Sequence, residues 1–234
     1  MKNIIITGAS KGIGRAIALH FAKNGYAVAA CARGEKDIKA LEAEVAALAP
    51  DQPHVFRTCD MSDKAQIAAF AADIKATWDH VHILVNNAGV FLPGQVINEE
   101  EGTLEKLIDT NLYSAYHMTR HFVQGMISYG RAHIFNMCSV ASINAYPNGG
   151  SYSISKFALL GLSKALREEL KPHAVKVTSL LPGATFTDSW SGAGIEESRF
   201  MKAEDIAQTV WDIYHLSKTT VVEEVLLRPV LGDI

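Results

Sequence analysis

The chain reads as a single domain built on a doubly wound parallel sheet of seven strands, with helices on both faces in three α/β/α layers. Three observations lead there. Short β-branched or apolar runs alternate with longer stretches of helical periodicity along the whole chain. The first run, Ile4-Ile5-Ile6, is apolar at three consecutive positions, as in a strand covered on both faces. A turn crowded with glycine follows it directly. With 234 residues, 48% of them hydrophobic, there is enough material for one sizeable core.

Taken in order, residues 4–6 form the first strand and the first helix starts near Gly12. A β-rich run over 26–32 is the second strand, 35–48 a helix with apolar residues at helical spacing, and 54–59 the third strand. Helix 63–77, strand 81–86, a long helix over 103–127 and strand 133–138 continue the alternation. Helix 151–170, strand 175–181, helix 203–216 and strand 221–227 complete it. Such order implies right-handed crossovers, and the one long irregular stretch, 183–201, has the length of a lid or binding loop and is expected to cover a substrate.

Composition excludes several classes of partner. A formal charge of −3, from 22 basic and 25 acidic residues, provides neither a basic stripe for nucleic acid nor a polybasic segment for a membrane. The apolar start is broken by Thr7-Gly8, too early for a signal peptide or a spanning helix, so a cytoplasmic location is expected. Cys31, Cys59 and Cys138 have no metal-site spacing and their odd number suits a reducing compartment; no disulfide framework and no metal are expected. His117 and His121 lie four apart on the long helix, but no third ligand is apparent, so they read as surface or subunit-contact residues.

Two stretches carry chemistry. In Thr7-Gly8-Ala9-Ser10-Lys11-Gly12-Ile13-Gly14, three glycines let the backbone turn sharply and approach a pyrophosphate at a helix N-terminus. Their spacing, Gly-x3-Gly-x-Gly, is not the general dinucleotide fingerprint. In Tyr152-Ser-Ile-Ser-Lys156, the phenol and the ammonium are four apart and share a helix face. A phenol with a pKa of about 10 is a poor acid at neutral pH, and a neighbouring cation is expected to lower it. Spacing alone is weak, because Tyr214 and Lys218 repeat it; that pair reads as surface, with no Ser thirteen residues upstream to match Ser139.

With these residues in view, nearly the whole chain resembles the short-chain dehydrogenases/reductases, a family with the Rossmann fold. The glycine spacing, Asn86-Asn87-Ala88-Gly89, Asn111, Ser139, Tyr152 with Lys156, and Pro182-Gly183 with Thr187 occur in the family's order. Thr178 departs from it, since many relatives have Asn in the sixth strand. The resemblance implies a catalytic set of Asn111, Ser139, Tyr152 and Lys156. It implies a cofactor site of Gly8, Ser10, Lys11, Gly12, Ile13, Gly14, Arg33, Asp60, Asn87, Ala88, Gly89, Tyr152, Lys156, Pro182, Gly183 and Thr187. Asp60 would meet the adenine edge, although helix capping ahead of Met61-Ser62-Asp63 is the alternative.

The end of the second strand bears on which cofactor is used. A carboxylate there would accept from the ribose hydroxyls of NAD, whereas a cation would meet the 2′-phosphate of NADP. Ala32 occupies the acidic position, and Arg33 with Lys11 can bracket a phosphate, so NADP(H) is expected; ordinary solvated charges are the alternative. The reaction implied is hydride transfer to a ketone or aldehyde, with Tyr152 giving the proton, Ser139 holding the oxygen and Asn111 keeping a relay water. Phe91, Leu92, Val140, Ala141, Ile143, Tyr146 and Trp190 are the substrate-side candidates, mostly apolar. A 3-oxoacyl-carrier-protein reductase is the alternative enzyme, although Arg131, Lys171 and His173 make a thin basic grip for an acidic carrier. A non-catalytic dinucleotide sensor is the alternative from another class. By the same resemblance a homodimer or homotetramer is expected through the two long helices, where Leu112, Ala115, Phe122 and Met126 either meet a second copy or face the sheet.

Overall fold

The computed structural model describes residues 1–187 and 194–233. Seven strands, β1 (Asn3–Thr7), β2 (Ala27–Ala32), β3 (Val55–Thr58), β4 (Ile83–Asn86), β5 (His133–Met137), β6 (Lys176–Pro182) and β7 (Glu224–Leu227), form one sheet in the order β3-β2-β1-β4-β5-β6-β7. Every neighbouring pair is parallel. The helices are α1 (Gly12–Lys23), α2 (Glu35–Leu48), α3 (Lys64–Thr77), α4 (Thr103–Ile108), α5 (Ser114–Tyr129), α6 (Gly150–Leu170) and α7 (Ala203–His215).

Side chains alternate across the strands as a period of two requires. Ile4 and Ile6 of β1 face one layer with Phe21 of α1, Leu41 of α2 and Val210 of α7, while Ile5 faces the other with Phe70 of α3 and Met118 of α5. All five residues of β1 are buried, so an uninterrupted apolar run was the correct sign of a central strand. The strands expected over 54–59, 81–86 and 221–227 are shorter, at Val55–Thr58, Ile83–Asn86 and Glu224–Leu227.

One expectation is refined and one corrected. The helix expected over 103–127 runs unbroken to Tyr129, but a π turn at Asp109–Tyr113 divides it into α4 and α5, with the Ser114 N–H reaching back to the Asp109 carbonyl. In addition, Tyr214 and Lys218 do not share a helix, since α7 ends at His215; Tyr214 packs edge-on against Tyr26, 6.2 Å between ring centroids, and is not a surface residue. Of the apolar positions on the long helix, Ala115, Phe122 and Met126 are buried and pack inward.

Candidate active site

The carboxyl ends of β1 and β4 lie side by side at the point where the chain's crossovers diverge, which is where sheets of this type leave a crevice. The chain knits that crevice itself. Thr7 Oγ1 accepts from the N–H groups of Asn87 and Ala88 at 3.0 Å each, and Asn87 Nδ2 donates to the carbonyls of Thr7 and Gly8 at 2.9 Å each. Asn87, expected as a cofactor ligand, therefore spends its amide on joining the two strand ends. Ala88 in turn packs on the glycine turn.

That turn requires its glycines. Gly8 and Gly12 have φ of 65° and 54°, in the left-handed region. A Cβ at Gly8 would lie 2.8 Å from Ala88 Cα, at Gly12 2.8 Å from Thr187 Cγ2, and at Gly14 2.5 Å from Asn87 Nδ2. Thr187 is thus brought from far along the chain onto the turn. Ser10 and Ile13 are half-buried there, Ile13 packing on the core. Lys11, the residue before α1, provides no side-chain cap, so the first N–H groups of the helix keep their bonding capacity, as an incoming anion requires. This cradle fits a dinucleotide diphosphate.

Around it, Lys11 Nζ stands 3.7 Å from Asp37 Oδ2, and Arg33 is exposed just past β2, with no ion pair among the described residues. Asp60 does not cap α3; Asp63 does, accepting from the N–H of Ala65 and of Gln66. Asp60 Oδ1 instead accepts from the Ser62 N–H and hydroxyl at 2.9 and 2.8 Å, a local turn. Pro182 closes β6, and the Gly183 N–H donates to the Leu227 carbonyl at 2.8 Å; a Cβ there would lie 2.9 Å from Asp233 Oδ1. Trp190 lies outside the described residues.

Ser139, Tyr152, Lys156 and Asn111 converge beside this cradle. Ser139 is extended, with φ of −164°, and heads a short 3-10 turn, Val140–Ser142, its Oγ accepting from the Ala141 N–H at 3.1 Å. Tyr152 stands in the first turn of α6, close enough to Ser139 for the serine hydroxyl to favour its ionised form. Phe91 meets the Tyr152 ring edge-on at 4.9 Å between centroids, and Tyr146 is close enough for its own phenol to be raised by Tyr152. Lys156 is buried, donates to the Met137 carbonyl at 2.8 Å and lies 5.8 Å from the Tyr152 ring centroid. Gly89 sits between Asn111 and Lys156: its Cβ would lie 3.2 Å from Asn111 Oδ1 and 3.5 Å from Lys156 Nζ.

The electrostatics reverse one expectation. Burial pushes the Tyr152 phenol above its ordinary value, and the nearby Ser139 hydroxyl only partly offsets it; Lys156 does not bring the phenol below that value. Burial instead lowers Lys156 itself, to about 8. The Asn111 side chain makes three hydrogen bonds within the chain. Its Oδ1 accepts from the Val90 N–H at 2.7 Å, and its Nδ2 donates to the Val90 carbonyl at 3.0 Å and to Ser155 Oγ at 2.9 Å, so the amide is occupied as a clamp. The π turn is what points it there, and no local signal in the sequence announces such a turn. Glu99, whose carboxylate reaches the start of α6, also escaped the sequence reading; the Gly149-Gly150 pair hints at a close approach but not at its partner.

A cleft of about 530 Å³ opens on the other side of the α6 start, lined in part by Val96, Tyr146, Ser153, Ile154 and Phe157. Tyr146 borders both this cleft and the Tyr152 side. Neither Ser139, Tyr152 nor Lys156 lines it, and Ile154 and Phe157 turn away from Tyr152 on the helix.

A glycine cradle next to a serine, a tyrosine and a buried lysine defines an oxidoreductase site on a dinucleotide fold, and comparison with known proteins agrees. The short chain dehydrogenase family model matches residues 2–198. A sepiapterin reductase of Chlorobaculum tepidum is 34% identical, covering 100% of this chain and 99% of its own. An NADP-dependent 3-hydroxy acid dehydrogenase of Salmonella typhi is 31% identical over 97% of this chain and 94% of its own. The alcohol dehydrogenase of Thermococcus sibiricus, solved with 5-hydroxy-NADP, superposes with a TM-score of 0.90 at 28% identity, covering 100% of this chain and 99% of that one. The chain belongs to the short-chain dehydrogenase/reductase family.

Proposed function

We propose that this chain is an NADP(H)-dependent reductase of ketones or aldehydes, with Tyr152 as proton donor. The observation that carries the reading is the Tyr152 phenol held near Ser139 and beside the buried Lys156, at the strand edge that also holds the glycine cradle. NADPH, when bound, supplies the hydride. Gly8, Gly12 and Gly14 make room for its diphosphate, Arg33 and Lys11 meet the 2′-phosphate, and Thr187 and Gly183 flank the nicotinamide end. Ser139 orients the carbonyl oxygen, and Tyr152 protonates it as charge develops there. Because burial keeps the phenol protonated at neutral pH, the resting site is poised for reduction, the direction in which a proton is given. Lys156 holds positive charge under the phenol, so that the phenolate left behind is stabilised when it forms.

The substrate is an uncharged carbonyl compound with a flat or apolar body. Phe91 and Tyr146 are the rings beside Tyr152; the stretch 183–201, expected to cover a substrate, lies in part outside the described residues. A substrate carboxylate would need a cation, and Lys156 is already committed within the site. The test is NADPH absorbance loss over a panel of aldehydes, ketones, diketones, quinones, 3-oxoacyl thioesters and sepiapterin, the substrate named for the Chlorobaculum relative. Turnover of 3-oxoacyl thioesters alone would replace this reading with a carrier-protein reductase. No oxidation of NADPH with any member would overturn it.

The enzyme assembles as a homo-oligomer in the cytoplasm, pairing through α5 and α6. Tyr116 on α5 and Ile154 and Phe157 on α6, with Tyr113 at the end of the π turn, leave exposed apolar surface, a stripe suited to a second copy.

A further inference from the structure

Ser151 and Ser155 stand one turn apart on α6, immediately before Tyr152 and Lys156, and each receives a tie from the segment that leads from β4 to α5. At Ser155 the tie is Asn111, which also grips Val90 at both its N–H and its carbonyl. At Ser151 the tie is Glu99. Its Oε1 accepts from the Ser151 N–H at 2.9 Å, and its Oε2 accepts from the Ser151 hydroxyl. The chain has made space for this carboxylate: a Cβ on Gly150 would collide with Oε1, and one on Gly94 would lie 2.8 Å from Glu99 Cγ. Gly94 reinforces the junction by donating to the Asn148 carbonyl at 3.1 Å and bridging to Gly149.

We propose that Glu99 is a positioning residue of the active site: by anchoring α6 at Ser151 while Asn111 anchors it at Ser155, it fixes the rotation of the helix and so the aim of Tyr152 and Lys156. One attachment would act as a pivot, whereas two, a turn apart on one face, prevent the helix from rolling. The residue before α6, Gly149, contributes no capping side chain, so a carboxylate from elsewhere meets an N–H group that would otherwise lack a partner and complements the positive end of the helix dipole. The same segment carries Phe91, whose ring abuts Tyr152, so the Glu99 tie also fixes the substrate-side wall against the proton donor. The inference rests on reading Tyr152 as that donor.

The test uses the full chain, a carbonyl substrate that the wild type reduces, NADPH affinity by fluorescence, and amide hydrogen exchange over residues 151–156. In Glu99→Ala, kcat falls on the order of 10- to 100-fold, as expected when a reacting group is misaimed by about an ångström, NADPH affinity stays within about twofold, and exchange at 151–156 speeds up. Glu99→Gln keeps an acceptor for the Ser151 N–H and recovers most of kcat. Ser151→Ala loses only the hydroxyl tie, falls between the two, and serves if Glu99→Ala does not fold. Wild-type kcat in Glu99→Ala, or equal losses in Ala and Gln variants with unchanged exchange, overturns the inference. If the wild type reduces no carbonyl, it is the functional reading that fails, and exchange alone judges Glu99: unchanged protection in Glu99→Ala rejects the tie.

Discussion

The two ends of the sheet bury polar side chains for opposite purposes. At the amino end, Asn3 Oδ1 accepts from the His82 N–H and meets His82 Nδ1, both at 2.9 Å, and Tyr129 meets His82 Nε2 at 3.0 Å. Next to them, Thr178 donates to the Val222 carbonyl at 2.6 Å, so His133 Nε2, 2.8 Å from the Thr178 oxygen, carries the proton. Burial keeps both imidazoles neutral, lowering His82 to about 4 and His133 to about 3. Thr178, where many relatives have Asn, thus satisfies one His133 nitrogen, while Nδ1 of the same ring is buried without a hydrogen-bond partner among the described residues. At the carboxyl end a cation, Lys156, stays buried with three donors and one protein carbonyl to meet, next to a phenol that Ser139 only partly compensates. Closed polarity locks strands together, whereas incompletely closed polarity leaves bonding capacity for a ligand.

Breaking the open end has the largest effect. Tyr152→Phe keeps the ring packing against Phe91 and loses the transferable proton, so kcat falls roughly 10²- to 10⁴-fold while NADPH affinity is held; unchanged kcat at saturating NADPH would remove Tyr152 from the mechanism. Next is the exposed rim. A guanidinium contact to a phosphate contributes roughly 1.5–3 kcal/mol, so Ala32→Asp with Arg33→Ala shifts the NADPH-to-NADH ratio of kcat/KM by on the order of ten- to a hundredfold toward NADH. An unmoved ratio would make Arg33 a plain surface charge.

Smaller effects concern stability. Lys156 has a folded value of about 8, below its ordinary one, so its burial weakens the fold below pH 8, and the penalty is relieved as pH rises from there toward 10.5. At pH 7 that penalty is about 3 kcal/mol; after about 1 kcal/mol for the lost bond to Met137, Lys156→Met gains about 2 kcal/mol, or about 4–8 °C in Tm, while turnover collapses. A lower Tm would show that the ammonium is not a net burden. The amino end gives the smallest pH dependence, of the same sign but in a lower pH window. An unfolded histidine takes up a proton below its ordinary 6.5, whereas folded His82 and His133 do not until about 4 and 3, so stability falls as pH drops from 6.5 toward 4. At pH 5 each accounts for roughly 1–2 kcal/mol, and His133→Gln, which keeps a donor for Thr178, removes about half of the Tm loss between pH 7 and 5. An equal loss in the variant would place the acid sensitivity elsewhere.

What the sequence disclosed follows the same division. The strands were legible because burial on both faces leaves no room for polar residues, and the glycine turn because positive φ and close approach to Ala88 and Thr187 exclude side chains. Convergence of Ser139, Tyr152 and Lys156 was legible only through a family pattern, since Tyr214 and Lys218 have the same spacing and share no helix. Three features were not legible. The raised phenol depends on how completely Tyr152 is enclosed, the occupied Asn111 amide on partners 21 and 44 residues away, and the Glu99 tie on one 52 residues away. None of these leaves a local periodicity.

The π turn at Asp109–Tyr113 has a consequence well beyond Asn111. It holds one residue more than a regular α-helical turn, and each residue advances a helix by about 100°. Deleting one residue there would restore regular bonding locally but rotate all of α5 by that angle, carrying Met118, Phe122 and Met126 away from the sheet. The irregularity is therefore held in phase by the core packing of the helix downstream, so the direction of Asn111 is set by hydrophobic residues up to fifteen positions further along the chain.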